Sequence, residues 1–327
     1  MPGIIDIQSA AYDDRHRSGH GHIQTAARLH WMERSRTPNL RPLSSANMAA
    51  RQFSCCMGVG KSDPTAEQRH MPPITYCDDE MMAYRSARKT FQPGERVVFD
   101  EGYRLAHLPL VNAGHPAVIS EVDGRDYRNG TYEKTRYALV MPISADAFLE
   151  SDQVQALELA IKSSSFAPKI AWELCERRRL QLHATLAGGV PETDLDRYAA
   201  VVQDLLDRIG SISVCLKGPF LGTRNTGRIY FPVYPQKIRN EDAFALVQKS
   251  IGVSATKLYL VGYYHMRNEL DPLETTELAE LIDQWRDRIV VRTTIPFLEL
   301  LATNDDLALS ARTHAKISAR GTPRVKR

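Results

Sequence analysis

One order of elements occurs twice in this chain, and it constrains the fold more than any other feature of the sequence. The first copy runs from His183 through a loop with Pro191 to Asp207-Arg208-Ile209. The second runs from His265 through Pro272 to Asp287-Arg288-Ile289, and 82 residues separate the two histidines. Each copy predicts a strand that ends near a histidine, a loop, an amphipathic helix and another strand. The sequence therefore predicts two similar halves, each a sheet backed by helices.

The alternation of side chains along a strand places each histidine on a polar face. In the first strand one face carries Gln181, His183 and Thr185. In the second strand one face carries Tyr263, His265 and Arg267. If the halves pack as pseudo-symmetric units, these two faces oppose each other across a groove. We then expect both imidazoles in one cleft, although a histidine on a strand is also typical of a buried structural role.

The motif Leu182-His183-Ala184-Thr185-Leu186 resembles the H-x-T/S-hydrophobic motif of the two-histidine (2H) phosphoesterases, the cyclic phosphodiesterase and RNA-ligase-like superfamily. Members of that family carry two such motifs roughly 80 residues apart, and the resemblance covers about residues 133–311. It implies an α+β fold in which two pseudo-symmetric lobes, each an antiparallel sheet backed by helices, surround a central groove. It also implies a hydrolase that cleaves a cyclic phosphate or another nucleotide- or RNA-derived phosphodiester and needs no metal ion or other cofactor.

The second motif departs from the family pattern. His265-Met266-Arg267 has arginine where threonine or serine is usual. A shifted register places Leu260-Val261-Gly262 at the motif and leaves a chain with one histidine. The internal repeat favours His265, but a catalytically degenerate protein that binds a phosphate ligand or RNA stays the alternative.

The chemistry of a phosphodiester explains why these residue types are needed. One group deprotonates the attacking water and another protonates the leaving oxygen, and imidazole suits both roles because its pKa lies near neutrality. We expect His183 and His265 to form this pair, with the assignment of acid and base left open. Thr185 donates one hydrogen bond to the phosphate, and Arg267 donates two in a planar fork.

A polar segment between two predicted strands, residues 217–228, supplies further candidates for substrate binding. Arg224 and Arg228 are candidates to contact phosphate. The aromatic candidates to stack on a base are Phe220, Tyr230 and Tyr263. The same segment is also typical of an ordinary polar hairpin.

Changes in composition and hydrophobic periodicity divide the chain into four parts. Residues 1–72 are predicted to be a disordered or targeting tail, 73–132 an N-terminal α/β extension and 133–311 the 2H-like domain. Residues 312–327 are predicted to be a basic tail, since they hold six Lys/Arg and no acidic residue. Such a tail is a candidate to bind an acidic partner, RNA phosphate or a secretion receptor.

Composition excludes several classes of protein. The chain has 42 Lys+Arg and 39 Asp+Glu, a formal net charge of +3, which argues against broad coating of nucleic acid but not against a groove for one phosphodiester. Five cysteines, an odd number, fit neither a disulfide scaffold nor a zinc module and favour a reducing, cytoplasmic compartment. No apolar run is long enough to span a membrane. A secreted effector is the alternative for localisation.

Overall fold

Within residues 73–320, the part of the chain that the computed structural model describes, nine antiparallel strands form one large sheet. The described strands, in chain order, are β1 (Thr131–Pro142), β2 (His183–Val190), β3 (Ile212–Lys217), β4 (Phe220–Leu221), β5 (Arg228–Pro235), β6 (Lys237–Ile238), β7 (Glu241–Asp242), β8 (Leu260–His265), β9 (Ile289–Ile295), β10 (Leu298–Asp305) and β11 (Arg312–Ile317). The sheet runs β11-β10-β1-β2-β8-β5-β3-β9, β4 pairs with β5, and β6 and β7 form a small sheet of their own. The two strands that carry the histidines, β2 and β8, are therefore neighbours.

Helices pack against this sheet. They are α1 (Tyr84–Ala87), α2 (Glu101–Ala106), α3 (Leu108–Val111), α4 (Ala145–Leu149), α5 (Asp152–Lys162), α6 (Trp172–Arg178), α7 (Leu195–Ile209), α8 (Ala243–Ser250) and α9 (Pro272–Trp285), with short 3-10 turns at Ala167–Lys169, Arg179–Gln181 and Glu192–Asp194. Helices α4 and α5 contact β9, α6 contacts β8, and α8 contacts β2. The structure thus confirms an α+β protein with a large antiparallel sheet backed by helices. None of the helices described between residues 73 and 320 is long and apolar enough to cross a membrane.

Local sequence signals explain where the longer helices begin and end. The Ser151 side chain accepts a hydrogen bond from the Val154 backbone and caps α5. Asp271 and Glu274 form a reciprocal capping box at the start of α9. Helix α7 ends at Gly210, whose φ of 76° is readily adopted by glycine.

The segment before β1 is built into the same core as the sheet. The Tyr84 hydroxyl donates to the carbonyls of Val233 (2.5 Å) and Tyr259 (3.0 Å), and the Tyr103 hydroxyl donates to the carbonyl of Met266 (2.7 Å). Both tyrosines are fully buried. Residues 73–132 therefore pack beside β5 and β8 as part of the same folded core.

The C-terminal segment differs from the sequence-based expectation. The pattern over 307–311 favours a strand, but these residues form a turn, because the Asp305 carboxylate accepts hydrogen bonds from the backbone N–H groups of Leu307, Leu309 and Ser310. Residues 312–317, expected in the basic tail, instead form the edge strand β11 paired with β10. The predicted tail over 1–72 and residues 321–327 lie outside the described residues.

Candidate functional site

A cavity of about 580 Å³ opens along one face of β1, β2 and β5. One end is lined by His107, His183, Thr185, Asn225, Arg228 and Tyr230. The other end, farther along β1, is lined by Asp126, Tyr132, Lys134, Arg136, Tyr137 and Glu192. We call these the histidine end and the β1 end. Four residues singled out by the sequence therefore line one cavity: His183, Thr185, Arg228 and Tyr230.

The ring of His183 is held in one orientation at the histidine end. Its Nδ1 lies 2.8 Å from the backbone carbonyl of Gln181, which assigns the proton to Nδ1 and leaves the lone pair on Nε2. Burial, with added repulsion from Arg178 and Arg228, lowers the pKa of His183 to about 4. The imidazole is therefore neutral near pH 7 and has the form of a general base.

His183 and Tyr230 lie at the same level of the sheet, on either side of a glycine. Ala184 pairs with Val261, so His183 is opposite Gly262, and Gly262 in turn pairs with Tyr230 on β5. Two strand spacings, about 10 Å, separate the backbones of His183 and Tyr230. A Cβ at Gly262 would come within 1.8 Å of Arg228 Nε, so the guanidinium of Arg228 occupies the space that a side chain would fill. This row places a cation between an imidazole and a phenol.

Two arginines, Arg228 in the cavity wall and the buried Arg178 outside the lining, have backbone and imidazole partners instead of carboxylates. Arg228 Nη1 donates to His107 Nε2 (3.2 Å) and its Nη2 to the Gly262 carbonyl (3.4 Å). Arg178 donates to the carbonyls of Leu307 (2.9 Å) and Gly262 (2.6 Å). Neither guanidinium forms an ion pair with any carboxylate of residues 73–320.

Burial without a counter-charge makes this an electropositive end of the cavity. Arg178 is only 1% exposed. Burial, with repulsion from Arg228, lowers the pKa of Arg178 to about 9, which still leaves it protonated at neutral pH. A buried cation that lacks an anionic partner is costly, so an anion that enters the cavity is stabilised here.

His265 does not open into the cavity, contrary to the expectation that both imidazoles share one cleft. It is 0% exposed, its Nε2 accepts from Arg178 Nη1 (3.2 Å), and its Nδ1 is buried without a partner. Its ring lies 5.7 Å from that of His107. Burial, followed by the charges of Arg228 and Arg178, holds the pKa of His265 well below its usual value. At this point the β5–β8 register shifts between Ile229 and Tyr230, β8 ends at His265, and Arg178 and His107 pack around the ring.

Two predicted phosphate contacts lie outside the cavity. The Arg267 guanidinium donates to both carboxylate oxygens of Glu173, at 2.5 and 2.6 Å, because the chain turns after β8 and its backbone N–H bonds to Lys169. Arg224 is exposed in the loop between β4 and β5 and is absent from the cavity wall. Neither arginine is brought to His183.

Two predicted stacking residues belong to the core. The ring of Tyr263 packs 5.0 Å from that of Phe148 in α4, so Tyr263 points to the helix layer. Phe220 lies 6.1 Å from Tyr84 and is 1% exposed. The apolar surroundings of these rings explain why they do not line the cavity.

The sequence reasoning missed His107 and Arg178. His107 lies between α2 and α3, in the segment treated as an extension, and no local pattern marks it. Arg178 is the middle of three consecutive arginines at the end of α6, a run that is typical of a solvated surface. The one sequence signal for Arg178 is that this run lies directly before the strand of His183.

Comparisons with family models, curated proteins and solved structures found no match for this chain. Within residues 73–320, no group of three or more His, Cys, Asp or Glu side chains is placed to hold a metal ion. The chemistry of the cavity therefore has to be inferred from its own residues.

Proposed function

We propose that this chain is a phosphodiesterase that hydrolyses a cyclic phosphate or another nucleotide- or RNA-derived diester, with His183 as its one catalytic histidine and Tyr230 in place of a second. One observation carries the proposal. The Arg228 guanidinium lies over Gly262, between His183 and Tyr230, in an open cavity, and has no carboxylate partner among the described residues.

Arg228 is the anchor for the phosphate. A guanidinium presents several N–H groups in a plane and matches two oxygens of one phosphate. The anion supplies the counter-charge that the partly buried Arg228 lacks among the described residues, so binding is favoured at this end of the cavity. The hydroxyl of Thr185, two residues after His183 on the same strand face, donates a further hydrogen bond.

His183 and Tyr230 each carry out one of the two proton transfers, His183 as the base and Tyr230 as the acid. Nε2 of His183 takes a proton from water as the water oxygen forms a bond to phosphorus. The bond from phosphorus to the opposite ester oxygen breaks, and that oxygen takes the phenolic proton of Tyr230. Burial raises the pKa of Tyr230, so the phenol is protonated before the reaction. The product is a phosphomonoester, and the His183 imidazolium returns its proton to the tyrosinate through water.

The order of elements supports the relation to two-histidine phosphoesterases. The run β1-α5-β2-α7-β3 has a counterpart in β5-α8-β8-α9-β10, when β9 is passed over. In the sheet, β10-β1-β2 on one side matches β3-β5-β8 on the other. This order supports the proposal that the two runs form pseudo-symmetric lobes, with a pseudo-twofold axis between β2 and β8.

A second candidate function is binding of a phosphate ligand without turnover. The burial of His265 favours it, because Arg178 occupies the Nε2 that a second catalytic imidazole would offer to the substrate. In the enzymatic proposal, His265 acts only by positioning Arg178. Tight binding of nucleotides or RNA ends without hydrolysis would support the second candidate.

The test is hydrolysis of 2′,3′-cyclic nucleotides in the presence of EDTA by the wild type and by His183→Ala. We expect the substitution to lower kcat by about 100-fold or more, the usual contribution of a general base. His314→Ala is the matched control, since His314 is exposed on β11, outside the cavity wall. Equal activity in wild type and His183→Ala would refute the proposal, as would no activity in either on cyclic nucleotides and cyclic-phosphate RNA ends.

A further inference from the structure

We infer that the cavity takes an oligonucleotide end and that Arg136, at the β1 end, binds a second phosphate of the same ligand. This inference rests on the proposed function, since the first phosphate is the one at Arg228. It assigns the length of the ligand, which the proposed function leaves open.

The two arginines lie far apart along one wall. Val140 of β1 pairs with Thr185 of β2, which fixes the level of the histidine end. Arg136 precedes Val140 by four residues on the same strand face, so it lies about 13 Å away along β1. Both residues line the cavity, as does Ala138 between them. A ligand that reaches from Thr185 to Arg136 is therefore longer than one phosphate with its attached sugar.

An aromatic ring orients the guanidinium of Arg136. Its guanidinium carbon lies 3.5 Å from the centre of the Tyr132 ring, and the Tyr132 hydroxyl donates to Asp306 (2.6 Å), which holds the ring in place. The Nε of Arg136 is buried and has no hydrogen-bond partner. The carboxylates of Asp126 and Glu192 bind backbone N–H groups and a phenol and form no ion pair with this guanidinium. Stacking on the ring covers one face and leaves the N–H edge to bind an anion in the plane.

Four carboxylates line this part of the cavity, those of Asp126, Glu192, Asp305 and Asp306, and each accepts hydrogen bonds from neighbouring groups. Asp126 accepts the backbone N–H groups of Glu133 (2.6 Å) and Lys134 (2.9 Å), and these bonds, more than the charge of Arg136, lower its pKa. Glu192 accepts from the Tyr137 hydroxyl (3.0 Å). Their negative charge disfavours a diffuse anionic coat at this end. It is compatible with one phosphate placed on the N–H edge of Arg136.

An oligonucleotide can place one phosphate on Arg228 and another on Arg136, whereas a mononucleotide with one phosphate can bind only one of these arginines. With its terminal phosphate on Arg228, an RNA end extends along β1 and brings a later phosphate to Arg136. Lys134, two residues before Arg136 in the sequence, also lines the cavity and is a further cation near the second phosphate.

The test is equilibrium binding of the full chain to mono-, di- and triadenylates that all end in a 3′-phosphate and so cannot turn over. We expect the triadenylate to bind wild type about tenfold more tightly than the mononucleotide. Arg136→Gln should lose this gain and keep the mononucleotide affinity, which also shows that the variant is folded. Arg136→Lys should recover part of the gain, since it keeps the charge without the planar fork. Arg125→Gln, an exposed arginine outside the cavity wall, is the control and should keep the whole gain.

The outcomes separate this inference from the proposed function. If the mononucleotide binds and ligand length has no effect, the second phosphate site is refuted and the proposed function stands. The same holds if Arg136→Gln weakens every ligand equally. If none of the ligands binds, both are refuted.

Discussion

His183 and His265 lie on adjacent strands of one sheet, in segments with the same order of elements, yet their rings have opposite surroundings. His183 lines the cavity, donates its Nδ1 proton to a carbonyl and keeps Nε2 free. His265 is fully buried, its Nε2 accepts from Arg178, and its Nδ1 has no partner. The His183 ring can therefore contact a ligand in the cavity, whereas the His265 ring accepts a hydrogen bond from Arg178 in the core.

The difference comes from residues outside the repeat. Two side chains pack around His265: Arg178 from the end of α6 and His107 from the segment before β1. The guanidinium of Arg228 fills the space that a side chain at Gly262 would occupy. A strand places a side chain on one face of a sheet, but chain segments far away in the sequence decide whether that face is open. Within this sheet, therefore, the resemblance between the two histidine segments does not extend to their chemistry.

The largest expected effect is on stability at mildly acidic pH, and it tests whether His107, His183 and His265 are all neutral in the folded protein. The pKa values of His107 and His265 lie well below the usual value, and that of His183 is about 4, chiefly because of burial. The unfolded chain binds these protons below about pH 6.5 and the folded chain does not, so stability falls as the pH drops below that value. Each such histidine contributes a slope of about 1.4 kcal/mol per pH unit.

Urea unfolding at pH 5, 6 and 7 measures this slope. His265→Gln should reduce it by about one proton, whereas the exposed control His314→Gln should leave it unchanged. A free energy of unfolding that is constant from pH 7 to pH 5 would show that the three rings are not held neutral in the folded protein.

The next effect separates the structural histidine from the proposed base. His265→Leu removes the acceptor of Arg178 Nη1 and leaves a buried donor unsatisfied, at a cost of roughly 1–3 kcal/mol in the free energy of unfolding. His265→Gln should restore much of this loss, because its amide oxygen reaches the position of Nε2. Thermal and urea unfolding of the two variants, with hydrolysis measured on each, checks the prediction.

A different result would change the comparison. If His265→Gln keeps full stability but lowers kcat as much as His183→Ala does, then His265 has a direct part in catalysis. Both rings would then face the substrate in the reacting state.

The sequence was sufficient to predict the parts that depend on local periodicity. Alternation of side chains within one segment predicts the strands at His183 and His265 and the shared face of His183 and Thr185. The helical period of the apolar residues predicts the helices after these strands. The surroundings of His265 depend on a shift in the β5–β8 register and on contacts between Arg178 and strands more than 80 residues later. The turn at Asp305 likewise depends on one carboxylate that binds three backbone groups, which a hydrophobic pattern does not reveal.

The smallest expected effect is at Arg267, the residue that the repeat pairs with Thr185. Its guanidinium binds Glu173 at the surface, where the two side chains are 37% and 61% exposed. Exposed ion pairs contribute about 0–1 kcal/mol. Arg267→Ala should therefore change the free energy of unfolding by less than about 1 kcal/mol and leave kcat/KM for a cyclic nucleotide within about twofold.

Thr185→Ala is the matched comparison at the equivalent position of the first segment. It removes a donor that lines the cavity and should lower kcat/KM by about tenfold with little change in stability. If Arg267→Ala were instead the more damaging of the two in a folded protein, the phosphate would have to bind where the second segment turns outward. The two segments would then act as equals, and the division of roles between His183 and His265 would be wrong.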